Sequence, residues 1–130
     1  MKVKDIMITE VISIESRKSI KNALELMVEN NIRRLPVLAQ GNLIGMIVQH
    51  DIEKALRSPE IIWDTPVDWV MSKKVITVSA QADLTEAINL LVKHKISGLP
   101  VLENGVMVGI LSETDLLILC IELLNEKQSS

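Results

Sequence analysis

The chain has 130 residues, of which 48% are hydrophobic and 24% charged, and its net charge is −3 with a pI near 5.4. This apolar content excludes an intrinsically disordered chain. A domain of this size can bury an aliphatic core that is stable without disulfide bonds or a bound metal ion. The acidic balance argues against a surface that attracts nucleic acid. Its single cysteine, Cys120, and the lack of an export signal after Met1 lead us to expect a cytoplasmic protein with no membrane association.

An internal repeat organises the whole chain. Shifting the sequence by 64 positions aligns residues 3–56 with residues 67–120 without a gap. The alignment predicts a first repeat at residues 1–58, a linker at 59–66 and a second repeat at 67–130. Because one copy offers little core, we expect the two to pack as one globular module with pseudo-twofold symmetry. Trp63 and Trp69 are expected to anchor the end of the linker to the core.

Each repeat predicts the order β-α-β-β-α. In the first repeat, Ser19 opens an apolar stripe at helical spacing. In the second, residues 75–78 form a β-branched strand, and Asp83 with Glu86 is typical of a helix capping box. Residues 99–102 and 106–111 then predict two strands joined by an Asn104-Gly105 turn. The last helices begin near Asp51 and Asp115, so the fold class is α+β.

The final helix is apolar on nearly every side. Between Leu116 and Leu124, one of the nine residues is charged. A monomer of this size has too little material to cover such a helix, so we expect a homodimer through this segment. Ile52, Ala55 and Leu56 of the equivalent helix are expected at the same interface.

The tandem β-α-β-β-α order resembles the cystathionine β-synthase (CBS) domain pair over essentially the whole chain. Leu-Pro-Val opens a strand at residues 35–37 and again at 99–101. Residues 109–115, Gly-Ile-Leu-Ser-Glu-Thr-Asp, resemble the family's adenosine-ligand motif, Gly-hydrophobic-x-Ser/Thr-x-x-Asp. The resemblance implies a non-catalytic regulatory module that binds AMP, ADP, ATP or S-adenosylmethionine in a cleft between the repeats. It also implies a regulated partner protein and no resident cofactor. His50 and His94 are far apart in the sequence and have no cysteine cluster beside them, so we expect no metal site.

The residues of the second repeat suit such a ligand. A carboxylate at a strand-to-helix junction can accept hydrogen bonds from both ribose hydroxyls, which makes Asp115 the leading candidate. Ser112 and Thr114 offer hydroxyls to a phosphate held at the helix N-terminus. Gly109 is expected to let the ligand approach the backbone. An aliphatic slot for adenine would be lined by residues of two strands, Thr77, Val78 and Pro100 among them.

The first repeat offers a weaker version of the site. Asp51 matches Asp115 and Ser13 matches Thr77, but Val48 stands where the motif has Ser or Thr. Asp51 and Asp115 have an alternative interpretation as simple helix N-caps, which leads for Asp51.

Cationic residues before the second strand complete the predicted site. The resemblance implies that Arg33 and Arg34 reach the phosphate of the ligand held by Asp115, although adjacent strand residues alternate in direction and one of the two would then point away. His50 is expected either to reach the same phosphate or to be a solvated residue beside a helix cap. A ligand-free dimerisation module is the alternative function.

Overall fold

The computed structural model describes residues 1–129 and contains two compact units, each built around one repeat. The first-repeat unit is Ile12–Val75, and the second-repeat unit joins Met1–Val11 to the chain from Ile76 onward. Both have the order strand, helix, strand, strand, helix, which confirms the predicted α+β class. The unit boundaries differ from the repeat boundaries in sequence, because the segment that opens each repeat packs in the unit of the other repeat.

The first-repeat unit contains one three-stranded sheet and two helices. Its elements are β1 Ile14–Glu15, α1 Ile20–Glu29, β2 Arg34–Ala39, β3 Asn42–Val48 and α2 Gln49–Ala55. In the sheet order β1-β2-β3, β1 runs parallel to β2 and β2 runs antiparallel to β3. The core lies between the sheet and the apolar stripe of α1, with Ile20, Met27, Leu35 and Ile47 almost fully buried.

The second-repeat unit repeats this plan. Its elements are β4 Val78–Ser79, α3 Leu84–His94, β5 Gly98–Glu103, β6 Val106–Ser112 and α4 Glu113–Ser129. The sheet order is β4-β5-β6, with the same parallel and antiparallel pairing. Leu99, Val101 and Leu111 form the centre of its core and have no exposed surface.

The hairpin turn at Asn104-Gly105 is confirmed. Asn104 has φ of 52° and Gly105 has φ of 79°, and Gln40 and Gly41 adopt the same pair of left-handed conformations in the first repeat. Two successive residues with positive φ characterise the tight turns whose twist matches that of the flanking strands. The turn therefore fixes the register of β5 on β6, in which Gly98 lies opposite Ser112.

The first strand of the second repeat is shorter than predicted. Residues 75–78 were expected to form a strand, but only Val78 and Ser79 pair, with Val101 and Leu102 of β5. Residues 75–77 have the β-branched composition of a strand but no pairing partner in the sheet. Composition alone does not reveal where a neighbouring strand ends, so this boundary was wrong.

The two long predicted helices begin where expected, but by different means. Ser19 caps α1, since its Oγ accepts a hydrogen bond from the backbone N–H of Asn22 at 3.0 Å. Asp83 occupies the N-cap position of α3, yet its side chain makes no capping hydrogen bond. The predicted capping box between Asp83 and Glu86 is therefore wrong.

A strap, the segment from Lys2 to Ile8, packs along the second-repeat unit. Val3 is fully buried in the core of that unit, and its N–H donates to the carbonyl of Ala82 at 2.9 Å. Ile8 pairs with Ile110 through two backbone hydrogen bonds of 2.9 Å and so covers the outer edge of β6. Backbone polar groups at this edge are thereby satisfied.

The equivalent strap of the first-repeat unit runs from Pro66 to Ser72. Val67 is fully buried, and its N–H donates to the carbonyl of Lys18 at 2.7 Å. Ser72 pairs with Met46 of β3 as Ile8 does with Ile110. Each unit therefore depends on a segment that lies next to the other repeat in the sequence.

Several large apolar side chains lie at the surface. Trp63 is 48% exposed and Trp69 is 69% exposed, so neither anchors the linker in the core as predicted. Cys120 is also exposed. Within residues 1–129, every helix is too short or too polar to cross a lipid bilayer.

Candidate functional site

The junction between β6 and α4 carries the carboxylate that the sequence singled out. Ser112 is the last residue of β6, and Asp115 is the third residue of α4. The Ser112 hydroxyl donates to Asp115 Oδ2 at 2.7 Å, and the Ser112 backbone N–H donates to the same oxygen at 3.2 Å. In return, the Asp115 backbone N–H donates to Ser112 Oγ at 3.2 Å. These three bonds form a reciprocal capping box, with Asp115 in the place of the usual Glu or Gln.

This arrangement corrects the alternative in which Asp115 is a helix N-cap. Ser112 takes the N-cap role, and Asp115 returns the hydrogen bond from the first turn of the helix. Both bonds from Ser112 go to Oδ2, so Oδ1 of the half-buried carboxylate lies outside them. The carboxylate is therefore held through Oδ2, and Oδ1 takes part in neither of these two bonds.

Part of the expected phosphate site is already occupied by the protein. The Glu113 N–H donates to the carbonyl of Ser97 at 2.8 Å, and the Asp115 N–H donates to Ser112 Oγ. Two of the N–H groups at the start of α4 therefore have protein acceptors, which weakens this helix end as an anion site. Thr114 is exposed as the second residue of α4, and its hydroxyl remains a predicted ligand group.

Strand alternation divides the predicted adenine residues between two faces of the sheet. Val78, Leu99 and Val101 are buried in the core, so Val78 has only its backbone groups to offer a ligand. Pro100 lies opposite Ile110 and faces away from that core, although it too is buried. Thr77 is half-buried and directly precedes β4. Pro100 and Ser112 therefore lie on the sheet face opposite the helices, and Thr77 lies just outside the paired strand.

Gly109 leaves room for the strap that packs against β6. A Cβ atom at this position would lie 2.8 Å from Met7 Sδ and 2.9 Å from the Ile8 carbonyl oxygen. The equivalent Gly45 is in close contact with Met71 of the other strap. Close approach of protein backbone thus accounts for both glycines, and the space expected for a ligand at Gly109 is filled by Met7.

The equivalent junction of the first repeat lacks the capping box. Asp51 is the third residue of α2, as Asp115 is of α4, but the N-cap residue is Val48 and no side-chain capping bond forms. The N-cap interpretation of Asp51 is therefore wrong as well. Ser13, the other residue of the predicted weaker site, is half-buried just before β1.

The predicted cationic residues also lie in the first-repeat unit. Arg33 and His50 are exposed. Arg34 is half-buried at the start of β2, opposite Val48, and it interacts with other protein groups. Arg33 directly precedes β2, so the opposite directions expected for the two side chains stay a prediction. A role for Arg33, Arg34 or His50 at a phosphate stays a prediction.

A surface groove that the sequence did not indicate lies elsewhere in the first-repeat unit. It has a volume of about 720 Å³ and runs along α1. Its lining residues are Lys21, Leu24, Glu25, Val28, Glu29, Trp63 and Asp64. None of the predicted ligand residues belongs to it. The Lys21 N–H donates to the Trp63 carbonyl at 3.2 Å, which fixes the wall that the linker contributes.

Comparison with known proteins places these features in a family. The family model described as the CBS domain matches the chain twice, at residues 3–58 and 67–122. The CBS domain-containing protein YhcV of Bacillus subtilis is 33% identical over 114 residues, which is 88% of this chain and 81% of YhcV. Other curated relatives are longer. The chain spans 43% of a 33.4 kDa protein of Thermofilum pendens and 14% of the A-adding tRNA nucleotidyltransferase of Aquifex aeolicus.

Solved structures share the fold over nearly the full length. The Vibrio cholerae protein assigned to acetoin utilization (AcuB) superposes with a TM-score of 0.90 at 32% identity, covering 100% of this chain and 97% of its own. The CBS domain pair of protein MJ0100, solved in complex with 5′-methylthioadenosine and S-adenosyl-L-methionine, has a TM-score of 0.81 at 30% identity. In that comparison, 92% of this chain and 94% of the MJ0100 pair are covered.

Proposed function

The chain belongs to the CBS domain family as a tandem pair, and from this premise we propose that it is a regulatory module whose ligand is an adenosine compound bound at the β6–α4 junction. Domain pairs of this family are generally regulatory modules. The proposed ligands are AMP, ADP, ATP or S-adenosylmethionine, and the chain itself performs no catalysis. Ligand binding would favour one arrangement of the pair, which a regulated partner protein then reads.

The observation that carries this proposal is the anchored carboxylate. Asp115 is held by two hydrogen bonds from Ser112 in a motif that matches the family's ligand-binding pattern. A fixed carboxylate oxygen is a strong acceptor for a ribose hydroxyl, because a charge-assisted hydrogen bond is about twice as strong as a neutral one. The MJ0100 domain pair, at 30% identity, was solved with two adenosine compounds, which supports the same ligand class here.

Thermal denaturation with a nucleotide series tests the proposal. A ligand that binds only the folded chain stabilises it by about 2.7 kcal/mol at a concentration of 100 times Kd. We expect AMP, ADP, ATP, S-adenosylmethionine or 5′-methylthioadenosine to raise the melting temperature, with GMP as the matched control for the base. If none of the five adenosine compounds raises it at millimolar concentration, the proposal is wrong.

The exposed face of α4 favours a homodimer as part of the same function. Leu116 packs into the core, but Leu117, Ile118, Ile121 and Leu124 are between 50% and 61% exposed. Contiguous apolar surface of this kind marks an interaction site, and we propose a second copy of this chain as its occupant. Ile52, expected at the same interface, is instead fully buried in the core of the first-repeat unit.

Light scattering at micromolar concentration tests the homodimer. We expect the mass of two chains, and we expect Ile121→Glu to lower it to one by placing a charge in the interface. Glu126→Gln on the same helix is the matched control and should remain dimeric. A monomeric mass for the unaltered chain would contradict the proposal. A dimer that binds no adenosine compound would instead favour the alternative, a ligand-free dimerisation module.

The cellular compartment is part of the proposal too. Cys120 is a single exposed thiol, which would stay reduced in the cytoplasm and would be open to oxidation outside it. We therefore propose that the protein acts in the cytoplasm.

A further inference from the structure

We infer that the groove along α1 receives the exposed face of α3 from a second copy of this chain. In a homodimer built this way, the first-repeat unit of one chain contacts the second-repeat unit of the other. The inference rests on the proposed homodimer and specifies which further surfaces of the two chains meet. It supplies the direction of the dimer, which the apolar face of α4 does not set by itself.

The groove combines apolar surface with an excess of negative charge. Leu24, Val28 and Trp63 are its apolar lining residues, and Val28 is 72% exposed. Three acidic residues and one basic residue complete the lining, and two of the acidic ones, Glu25 and Glu29, belong to α1. Apolar surface of this kind marks an interaction site, and its charge fits a partner that is apolar and basic.

α3 presents a matching apolar ridge in the second-repeat unit. Val92 occupies the position that Val28 has in the first repeat, and it is also 72% exposed. Ile88 occupies the position of Leu24 and is 39% exposed. Residues four apart lie on the same face of a helix, so these two side chains form one ridge. Helices pack by fitting the ridge of one into the groove of the other, which makes α3 a suitable occupant.

The charge beside this ridge has the opposite sign to that of the groove. Lys93 stands where α1 has Glu29, and Lys95 follows at the C-cap of the helix. Both lysines are exposed. The one acidic residue of α3, Glu86, lies in its first turn, so the end of the helix that carries Val92 is basic.

Electrostatics favours contact between these unlike helices. Two α1 grooves in contact would bring Glu25 and Glu29 of one chain close to the same carboxylates of the other, and two α3 ridges would oppose their lysines. Contact between like charges is unfavourable, whereas α1 against α3 brings carboxylates close to Lys93. Complementarity of this kind fixes orientation more than affinity, so the apolar face of α4 supplies most of the affinity.

Disulfide crosslinking between single-cysteine chains tests which surfaces meet. All chains carry Cys120→Ser, and two variants add either Val28→Cys or Val92→Cys. A disulfide requires Cα atoms within about 7 Å, so it reports direct contact. We expect the equilibrated mixture of the two variants to form a crosslinked dimer with an added oxidant, and each variant alone to form none. Lys73→Cys, at an exposed position outside the groove, replaces Val28→Cys in the control mixture and should give no crosslink.

The crosslinking outcomes separate the inference from the homodimer itself. A crosslink formed by Val28→Cys alone would show that α1 meets α1 and would overturn the inference. Absence of a crosslink in the mixture, from chains that light scattering shows to be dimeric, would place the groove outside the interface and would overturn it too. A monomeric mass for the unaltered chain would reject the proposed homodimer, and the inference would fall with it.

Charge reversal tests the electrostatic argument separately. Glu25→Lys combined with Glu29→Lys makes the groove basic, which turns its attraction for α3 into repulsion. We expect the Kd of the dimer to rise about tenfold, or about 1.4 kcal/mol. Adding Lys93→Glu and Lys95→Glu to the same chain reverses α3 as well and should restore most of the affinity. Sedimentation equilibrium at several concentrations measures each Kd.

A matched control shows whether the effect comes from the groove or from net charge. Glu10→Lys combined with Glu60→Lys makes the same change in net charge at two exposed positions outside both helices, and it should leave the Kd within about twofold. The melting temperature of each variant reports whether it is folded. An unchanged Kd in the folded groove variant, or no recovery when α3 is also reversed, would contradict the inference.

Discussion

The junctions between β3 and α2 and between β6 and α4 have the same backbone hydrogen bond but differ in the residue before the helix, which is Val48 in the first and Ser112 in the second. In each, the first helical N–H donates at 2.8 Å to the carbonyl of the residue before the second strand, Gln49 to Arg33 and Glu113 to Ser97. In each, an aspartate is the third residue of the helix. Only at the second junction does a serine precede the helix and hold that aspartate. The two copies therefore keep the same framework, and only the second anchors its carboxylate with a serine hydroxyl.

The helices that follow these junctions differ too. α2 has 7 residues and buries Ile52, whereas α4 has 17 residues and exposes most of its apolar side chains. The second repeat thus carries both the anchored carboxylate and the larger unpaired apolar surface. This difference leads us to place both the ligand site and the dimer contact of the proposed function there.

We expect the largest losses of stability from substitutions in the hydrophobic core that both units contain. Leu35→Ala and Leu99→Ala each remove a fully buried side chain at matched positions of β2 and β5. We expect each to lower the free energy of unfolding by about 2–5 kcal/mol, because both leave a cavity in a packed core. Urea denaturation followed by circular dichroism measures this. A cost below 1 kcal/mol for either variant would mean that the two cores are not equivalent.

The contact between strap and glycine should be the next most sensitive feature. Gly45→Ala and Gly109→Ala would each push a methyl group into a strap methionine, Met71 or Met7, and a nearby backbone carbonyl. We expect a loss of about 1–3 kcal/mol in each unit from overpacking. The same denaturation experiment measures it, and Gly41→Ala does not serve as a control because that glycine has a positive φ. Full stability in Gly109→Ala would show that Met7 moves aside freely.

We expect the smallest changes in stability from the residue that differs between the two junctions, Ser112 in one and Val48 in the other. Ser112→Ala removes the capping box, and we expect ligand-free stability to fall by about 1 kcal/mol. Val48→Ser introduces a hydroxyl three residues before Asp51 and should raise stability by about 0.5 kcal/mol, since a new cap is partly offset by lost apolar contact. Thermal denaturation of both variants checks the opposite signs. A gain in Ser112→Ala would contradict the role of the cap.

Much of the fold could be predicted from local sequence signals. The 64-residue repeat, the apolar stripe after Ser19 and the Asn104-Gly105 turn each depend on neighbouring residues, and the structure agrees with them. The packing of each strap in the unit of the other repeat could not be predicted in this way. Burial of Val3 against residues 80–84 joins segments far apart in sequence, and no local pattern specifies that pairing.

The candidate site was predicted in outline, and the contacts that its residues make within the protein were not predicted. The motif from Gly109 to Asp115 was identified, but the glycine proved to accommodate Met7. Ser112-x-x-Asp115 has the spacing of a capping box, so the sequence already held the signal for the bonds between these residues. It was missed because the same residues also fit a ligand motif. Asp83 and Glu86 have that spacing without the side-chain cap, so spacing alone does not decide.

Titration calorimetry with AMP tests most directly the claim that only the second-repeat junction binds an adenosine ligand. We predict one AMP bound per chain in the unaltered protein, binding lost in Asp115→Ala, and binding unchanged in the matched variant Asp51→Ala, with all three chains folded in the absence of ligand. Two AMP molecules per chain, or undiminished binding in Asp115→Ala, would contradict the account.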